Sequence, residues 1–395
     1  MSVTSARGFR AAGIAAGLKS TGAEDIALVV NDGPEYAAGA VVTKNRVKAA
    51  PVVFSAHALE TAHALDAPIT AVLLNSGGAN ACTGEGGYAD TTRSAAHVAS
   101  LLAGHTTATQ VLVCSTGLIG VRLPMPALLA GAEGAHAQLD AGELAGAAAA
   151  RAIMTTDTVP KTATHTEHGV TVGGMAKGAG MLAPQLATML VVVTTDAQLT
   201  HAETQRIIAE ASRTTFNRVD SDACMSTNDT VILLASGASG VRLSEADMTE
   251  RVRAVCADLA RQLVADAEGA SHDVLVRVEN ATSEEAAEAV AREIARSNLV
   301  KAAIFGNDPN WGRIAAAAGC VSEAVAPFDP HRMNISVNGV WVCRAGGVGE
   351  DREKVDMTER EVRIVMELNA GDASAEVWTN DLTHEYVEEN SAYSS

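Results

Sequence analysis

The sequence predicts an α/β chain, built either as two domains or as one large sandwich with an appendage. Three observations lead there. The 395 residues exceed what one small core serves. Short apolar runs that read as strands alternate with alanine-rich stretches of helical pattern. Aromatic residues are only 3% against 47% hydrophobic overall, so the core must be built from Ala, Val, Leu and Ile.

The composition also excludes some functions. A formal net charge of −18 argues against a nucleic-acid partner, which needs a face rich in Lys and Arg. A local basic pocket for a carboxylate is compatible with it. Cys82, Cys114, Cys224, Cys256, Cys320 and Cys343 are scattered without a C-x-x-C pair, as expected of free thiols in a reducing compartment. No leucine-rich segment of signal length opens the chain, and no run reaches the roughly 18 apolar residues of a membrane span. The expectation is a cytoplasmic protein with neither membrane nor nucleic-acid partner.

Taken in order, Ile26 to Val30 and Ala38 to Val42 flank Asn31-Asp32-Gly33-Pro34 and suggest an antiparallel pair joined by a turn. Val52 to Leu65 reads as a strand and a helix, and Ile69 to Leu74 as a buried strand broken by the small, polar loop Asn75 to Gly84. Side-chain-poor backbone of that kind can line a site or simply turn. A helix over Tyr88 to Leu102 precedes a strand at Gln110 to Cys114, which runs into Ser115-Thr116-Gly117. A glycine-turn N–H beside a hydroxyl can stabilise an oxyanion, although such a tripeptide is by itself usually a turn. Pro124 to Leu139 and Gly142 to Met154 read as Ala-rich helices, the second ending at Thr155-Thr156-Asp157-Thr158.

Gly169 to Gly174 is a strand leading to Lys177-Gly178-Ala179-Gly180, and Met189 to Val193 a buried one. Thr188 thus stands at the mouth of a rigid element. A threonine hydroxyl attacks only if its proton is removed, and cutting the chain before it frees an α-amine for that task, with an unperturbed pKa of roughly 7.7–8.0. On spacing alone a threonine in this place is usually just a β-branched residue suited to a strand.

Further on, Thr200 and Glu203 form a capping box, Val231 to Leu234 a strand, and Met248 to Ala267 a long amphipathic helix stopped at Gly269. The remainder reads as a distinct α/β piece. It has a strand at Asp273 to Val278, a capping box at Thr282 and Glu285, a helix opened by Asp308-Pro309, and strands at Arg332 to Val337, Val362 to Leu368 and Glu376 to Thr379. Asp220, Asp222 and Asp229 invite a divalent metal, and His165 and His168 a zinc ion. Acids near a strand end are more often turn formers, and no third ligand of matching spacing accompanies the histidines, so no metal site is assigned. Lys177 is followed by Gly and not by Ser or Thr, which rules out a P-loop.

Several motifs occur together in one order: Ser115-Thr116-Gly117-Leu118-Ile119-Gly120, Ile153 to Thr158, Gly174 to Met181 with Ala187-Thr188-Met189-Leu190, Ser226-Thr227-Asn228-Asp229, Asp308 to Arg313, and Asn390-Ser391-Ala392-Tyr393. From about Gly8 to the last residue the chain resembles the glutamate N-acetyltransferase/ornithine acetyltransferase family of arginine biosynthesis. The resemblance implies an αββα-like sandwich similar to N-terminal nucleophile enzymes over residues 1–270, with a C-terminal α/β subdomain over 271–395. It implies self-cleavage between Ala187 and Thr188 into an α chain (1–187) and a β chain (188–395), assembled as α2β2. Thr188 is then the nucleophile, Thr116 and Gly117 form the oxyanion hole, and Thr155, Lys177, Thr188, Glu268, Asn390 and Ser395 contact substrate.

The implied reaction is acetyl transfer from N2-acetylornithine to glutamate through acetyl-Thr188, with no cofactor. Acetyl-CoA stays open as a second donor, since no stretch specifies coenzyme A. The family commonly carries Asn at Gly78 and Thr at Ser395, so neither departure carries its role over unchanged. A self-cleaving amidohydrolase and a non-catalytic amino-acid-binding protein are the alternatives.

Overall fold

The computed structural model describes residues 2–102, 104, 106–181 and 189–392. The chain divides into two units, one of residues up to 217 together with 224–263, the other of 218–223 and 264 onward. The seam was expected at 270. It falls earlier because Val264 O and Ala265 O already accept hydrogen bonds from Asn380 (2.9 Å) and Arg360 (2.6 Å) of the second unit.

In chain order the first unit contains β1 (Phe9–Ile14), β2 (Ile26–Asn31), β3 (Ala37–Val42), α1 (Ala50–Leu65), β4 (Ala71–Asn75), α2 (Gly84–Leu101), β5 (Val111–Ser115), α3 (Met125–Ala137), α4 (Glu143–Ala152), β6 (Lys161–Glu167), β7 (Val170–Lys177), β8 (Leu190–Thr195), α5 (His201–Arg213), β9 (Thr230–Ala235) and α6 (Glu245–Ala265). Two sheets result, ordered β1-β2-β4-β5 and β3-β9-β8-β7-β6. β4–β5 and β8–β9 pair in parallel, and all four strands are buried throughout. Their unbroken apolar runs are what strands covered on both faces require.

The sheets face each other. Phe9, Val29, Val72, Leu74 and Leu112 of the first meet Met175, Leu190, Val192, Ile232 and Leu234 of the second. On the first sheet's other face, Ile26, Leu28, Leu73 and Val113 pack on Ala95 and Val98 of α2 and on Leu128 and Ala132 of α3. On the second sheet's outer face α5 lies over β3 and β9, and α6 presents Val255 and Leu259 to the backbone at Gly174. The layers are therefore α, β, β, α. Helix α1 runs beside β5 and β3, and α4 beside β1, β2, β6 and β7. Small residues make the fit close: a Cβ at Gly13 would stand 2.1 Å from Ala148 O of α4.

Two early expectations are corrected. β2 and β3 are not a hairpin: β2 pairs with β1 and β4, while β3 pairs with β9. Asn31 anchors the crossing between sheets by donating to Glu35 O (3.0 Å) and Ala235 O (3.2 Å) and accepting the Gly33 N–H (2.9 Å). Residues 52–65 are all helix, with Pro51 in the first turn, where it removes no needed donor. The H-x-x-H spacing turns out to run from within β6 into the β6–β7 hairpin turn, whose two residues are His168 (φ 49°) and Gly169 (φ 77°), the conformation that matches strand twist.

The second unit holds β10 (Asp273–Ala281), α7 (Glu284–Arg296), α8 (Asn298–Phe305), α9 (Trp311–Ala318), β11 (Asn334–Val337), β12 (Val340–Arg344), β13 (Gly347–Val348), β14 (Glu361–Glu367), β15 (Ala373–Asn380) and α10 (His384–Ala392). Its sheet is ordered β13-β12-β11-β14-β10-β15. Val274, Val276, Ile335, Ile364 and Met366 of the sheet pack against Val290, Ile294, Ile304 and Ile314 of the helices. The caps sit one and two residues later than expected. Ser283, not Thr282, accepts the Ala286 N–H (3.1 Å), and Asn310, not Asp308, accepts the Arg313 N–H (3.2 Å). In each case the side chain three residues before the donor is the one within reach.

Candidate active site

The first unit gathers the predicted residues where β4, β5, β7 and β8 end or begin. β4 and β5 finish side by side, Asn75 opposite Ser115, with Asn75 Nδ2 donating to Ser115 Oγ (2.6 Å). The loops beyond are joined by a bridge: the Thr116 N–H reaches Asn75 O (2.9 Å) and the Gly78 N–H reaches Thr116 O (3.0 Å). The Thr116 amide is thus committed, and its hydroxyl is the group left to act; it accepts from Lys177 Nζ (3.4 Å).

Gly117 has φ 126°, and a Cβ there would lie 2.8 Å from Gly78 N, so only glycine allows the two loops to meet. Among the described residues no acceptor takes the Gly117 N–H. A Cβ at Gly78 would meet Leu123 Cδ2 at 3.0 Å, so a side chain at that position requires Leu123 to move.

Asn228 locks this arrangement. Its Nδ2 donates to Ala79 O (2.6 Å) and Ser115 O (2.8 Å), while its Oδ1 accepts from the Thr227 hydroxyl (2.6 Å). The next residue, Asp229, is fully buried and accepts the Met189 N–H (3.1 Å) at the root of β8. Burial pushes its carboxyl well above the ordinary carboxylate range, against the opposing pull of Met189 N–H, Lys177 and Ser226.

Lys177, the last residue of β7, is 1% exposed. Near it lies Asp157, whose Oδ1 accepts from Lys161 Nζ (2.6 Å) and Gly178 N–H (2.6 Å) and whose Oδ2 accepts the Thr155 N–H (2.9 Å). Burial acts to raise this carboxyl, but Lys177, Lys161 and the Gly178 N–H outweigh it and hold it below its usual value. A carboxyl depressed on folding contributes stability that is full above its unfolded pKa, roughly 3.9, and lost as the pH falls through its folded value. Urea unfolding of the wild type and of Asp157→Asn should therefore show a stability gap at pH 7 that narrows at pH 3. A gap that does not narrow would remove the charge from this account.

The structure thus brings Thr116, Gly117, Thr155 and Lys177 into one unit. Glu268 and Asn390 belong to the other, where Asn390 Nδ2 donates to Glu268 Oε2 (3.0 Å). There Glu268 lines a cavity with Asp222, Lys301, Asp381 and Tyr386. Ala187, Thr188 and Ser395 lie outside the described residues. Asp220 and Asp229 fall in different units, and Asp220 is occupied by Arg292 (3.3 Å) and Arg296 (2.6 Å).

The pattern reading missed Asp157 and Lys161 as site residues and gave Asn228 no task beyond its motif. The signal available for Asn228 was that motif, Ser226-Thr227-Asn228-Asp229. Chemically the assembly offers a hydroxyl and an N–H for an oxyanion and a buried ammonium for a carboxylate.

Among the described residues no helix is long and apolar enough to cross a membrane. The model of the ArgJ family matches residues 10–395. The arginine biosynthesis bifunctional protein ArgJ of Streptomyces coelicolor is 59% identical over 395 residues, the whole of both chains. The protein of that name from Thermobifida fusca is 54% identical over 395 residues, again the whole of both. A solved ornithine acetyltransferase complexed with ornithine, from Mycobacterium tuberculosis, is 52% identical with a TM-score of 0.44, covering 48% of this chain and 96% of that one. With a match running from residue 10 to the last and more than half of all positions identical to whole relatives, the chain belongs to the ArgJ family.

Proposed function

We propose that this chain transfers an acetyl group from N2-acetylornithine to glutamate through an acetyl-Thr188 ester, after cutting itself between Ala187 and Thr188. Its family makes it an acyltransferase of arginine biosynthesis. The observation that carries the finer reading is the juxtaposition of the Thr116 hydroxyl, the Gly117 backbone and the Lys177 ammonium beside the start of β8.

In this mechanism the free α-amine of Thr188 accepts the proton of its own hydroxyl as the oxygen attacks the acetyl carbonyl. The Thr116 hydroxyl and the Gly117 N–H take up the charge on the tetrahedral oxygen. Collapse breaks the C–N bond, the amine returns the proton to the leaving nitrogen, and ornithine departs. The amine of glutamate then attacks the ester and leaves as N-acetylglutamate, restoring the hydroxyl. Lys177 pairs with the substrate's carboxylate, Thr155 and Ser395 hydrogen-bond to it, and Glu268 with Asn390 takes its amino end.

No cofactor enters this scheme, and acetyl-CoA is a candidate second donor. Cytoplasmic location and an α2β2 assembly of the two chains complete the proposal. Incubation with N2-acetylornithine, with and without glutamate, tests it: N-acetylglutamate should form in step with ornithine. Acetate in its place would identify a hydrolase. Neither product, together with a single intact mass under denaturing conditions, would identify a binding protein.

A further inference from the structure

The second unit holds a cavity of about 90 Å³, several times what a single water requires. Its wall carries charges of both signs. Asp222, Glu268 and Asp381 bring carboxylates, Arg296 and Lys301 bring cations, and Asn298 brings an amide. All six belong to that unit. Asp381 is held by its neighbours: its oxygens meet the N–H groups of Ser271 and His272, the Ser271 hydroxyl and His272 Nδ1.

Lys301 is 5% exposed. Its ammonium donates to two uncharged oxygens, Ser221 O and Thr379 Oγ1 (3.2 Å), and so has one further N–H to donate. Burial pulls this group down to about 8, against the attraction of Asp222, Asp220 and Asp381, and at neutral pH it remains an ammonium. Arg296 places its Nε on Asp220 (2.6 Å). Among the described residues nothing accepts from its two terminal nitrogens.

The proposed reaction makes a demand that a wall of one sign does not meet. On N2-acetylornithine the α-nitrogen is acetylated, so the amino end assigned to Glu268 is the ammonium that ends the side chain. Glutamate follows it into the same place with a carboxylate at the corresponding end. A pocket of carboxylates alone would repel the second substrate as it attracts the first. The cavity that Glu268 lines carries a counter-charge for each.

We propose that this cavity is the shared side-chain subsite: Asp222 joins Glu268 in holding the ammonium of N2-acetylornithine, and Lys301 with Arg296 holds the side-chain carboxylate of glutamate. The Asn298 amide can accept from one end and donate to the other. The inference deepens the acetyl-transfer reading and rests on it. Its consequence is that the two substrates depend on different residues of one cavity.

The test measures kcat/KM for each substrate, and Tm, in the full-length wild type, Lys301→Met, Arg296→Gln and Asp222→Asn. In a ping-pong scheme each kcat/KM reports its own half-reaction. Lys301→Met and Arg296→Gln should each lower the value for glutamate about tenfold or more, the scale of a lost charge-assisted hydrogen bond, and leave that for N2-acetylornithine within about threefold. Asp222→Asn should do the reverse.

Equal losses for both substrates would make these residues structural and overturn the proposal, as would variants that change neither. Should Lys301→Met not fold, Arg296→Gln carries the comparison, since that side chain is 37% exposed. Absence of N-acetylglutamate from the wild type would instead sink the acetyl-transfer reading, and this inference with it.

Discussion

Thr188→Ala should leave the 395-residue chain in one piece and reduce acetyl transfer by on the order of 10⁴-fold or more, the scale seen when a nucleophile is removed. One side chain fills two positions in the scheme. Its oxygen attacks the preceding peptide carbonyl during scission and the acetyl carbonyl during turnover, and its α-amine exists as a base only after scission. Alanine removes the oxygen and so leaves the amine locked in an amide. Thr188→Ser restores a hydroxyl and should restore both events. Intact mass under denaturing conditions reads the first and N-acetylglutamate formation the second. A Thr188→Ala protein that still separates into two masses would move the scission chemistry to another residue.

Thr116→Val is the second large effect, expected to lower kcat by about 10²–10³, the usual consequence of losing one oxyanion donor. Valine keeps the β-branched shape in a place where residue 116 is only 2% exposed. The backbone bonds to Asn75 O and from the Gly78 N–H do not depend on the side chain, so the loop should hold. What disappears is the hydroxyl that Lys177 reaches at 3.4 Å. Because charge on the substrate oxygen develops after binding, KM should change little. A raised KM with kcat preserved would reassign Thr116 to ground-state binding.

The legible parts of the sequence were those with strong period or chemistry. β8 and β9 announce themselves as unbroken apolar runs, and Thr200 with Glu203 forms the capping box read in advance. What failed was pairing. Two buried strands joined by a Gly-Pro turn look like a hairpin, and nothing local says that β2 and β3 enter different sheets. The Asp157–Lys161 pair was invisible for a related reason. A charged residue four positions from its opposite reads as a solvated turn until the fold closes over it, and only then does its burial become informative. Thr116, Gly117, Thr155 and Lys177 came from motif order, while the bonds of the Thr155 and Gly178 N–H groups to Asp157 needed the structure.

The order of the five-stranded sheet bears on what a cut at 187/188 would do. β3, β6 and β7 precede that point and β8 and β9 follow it, yet β8 and β9 lie between β7 and β3. Each fragment would be stitched to the other along two ladders, β7–β8 and β3–β9. A nicked molecule could come apart only by unzipping its own central sheet. Dilution alone should not dissociate it, and either half made separately would present raw strand edges to its neighbours.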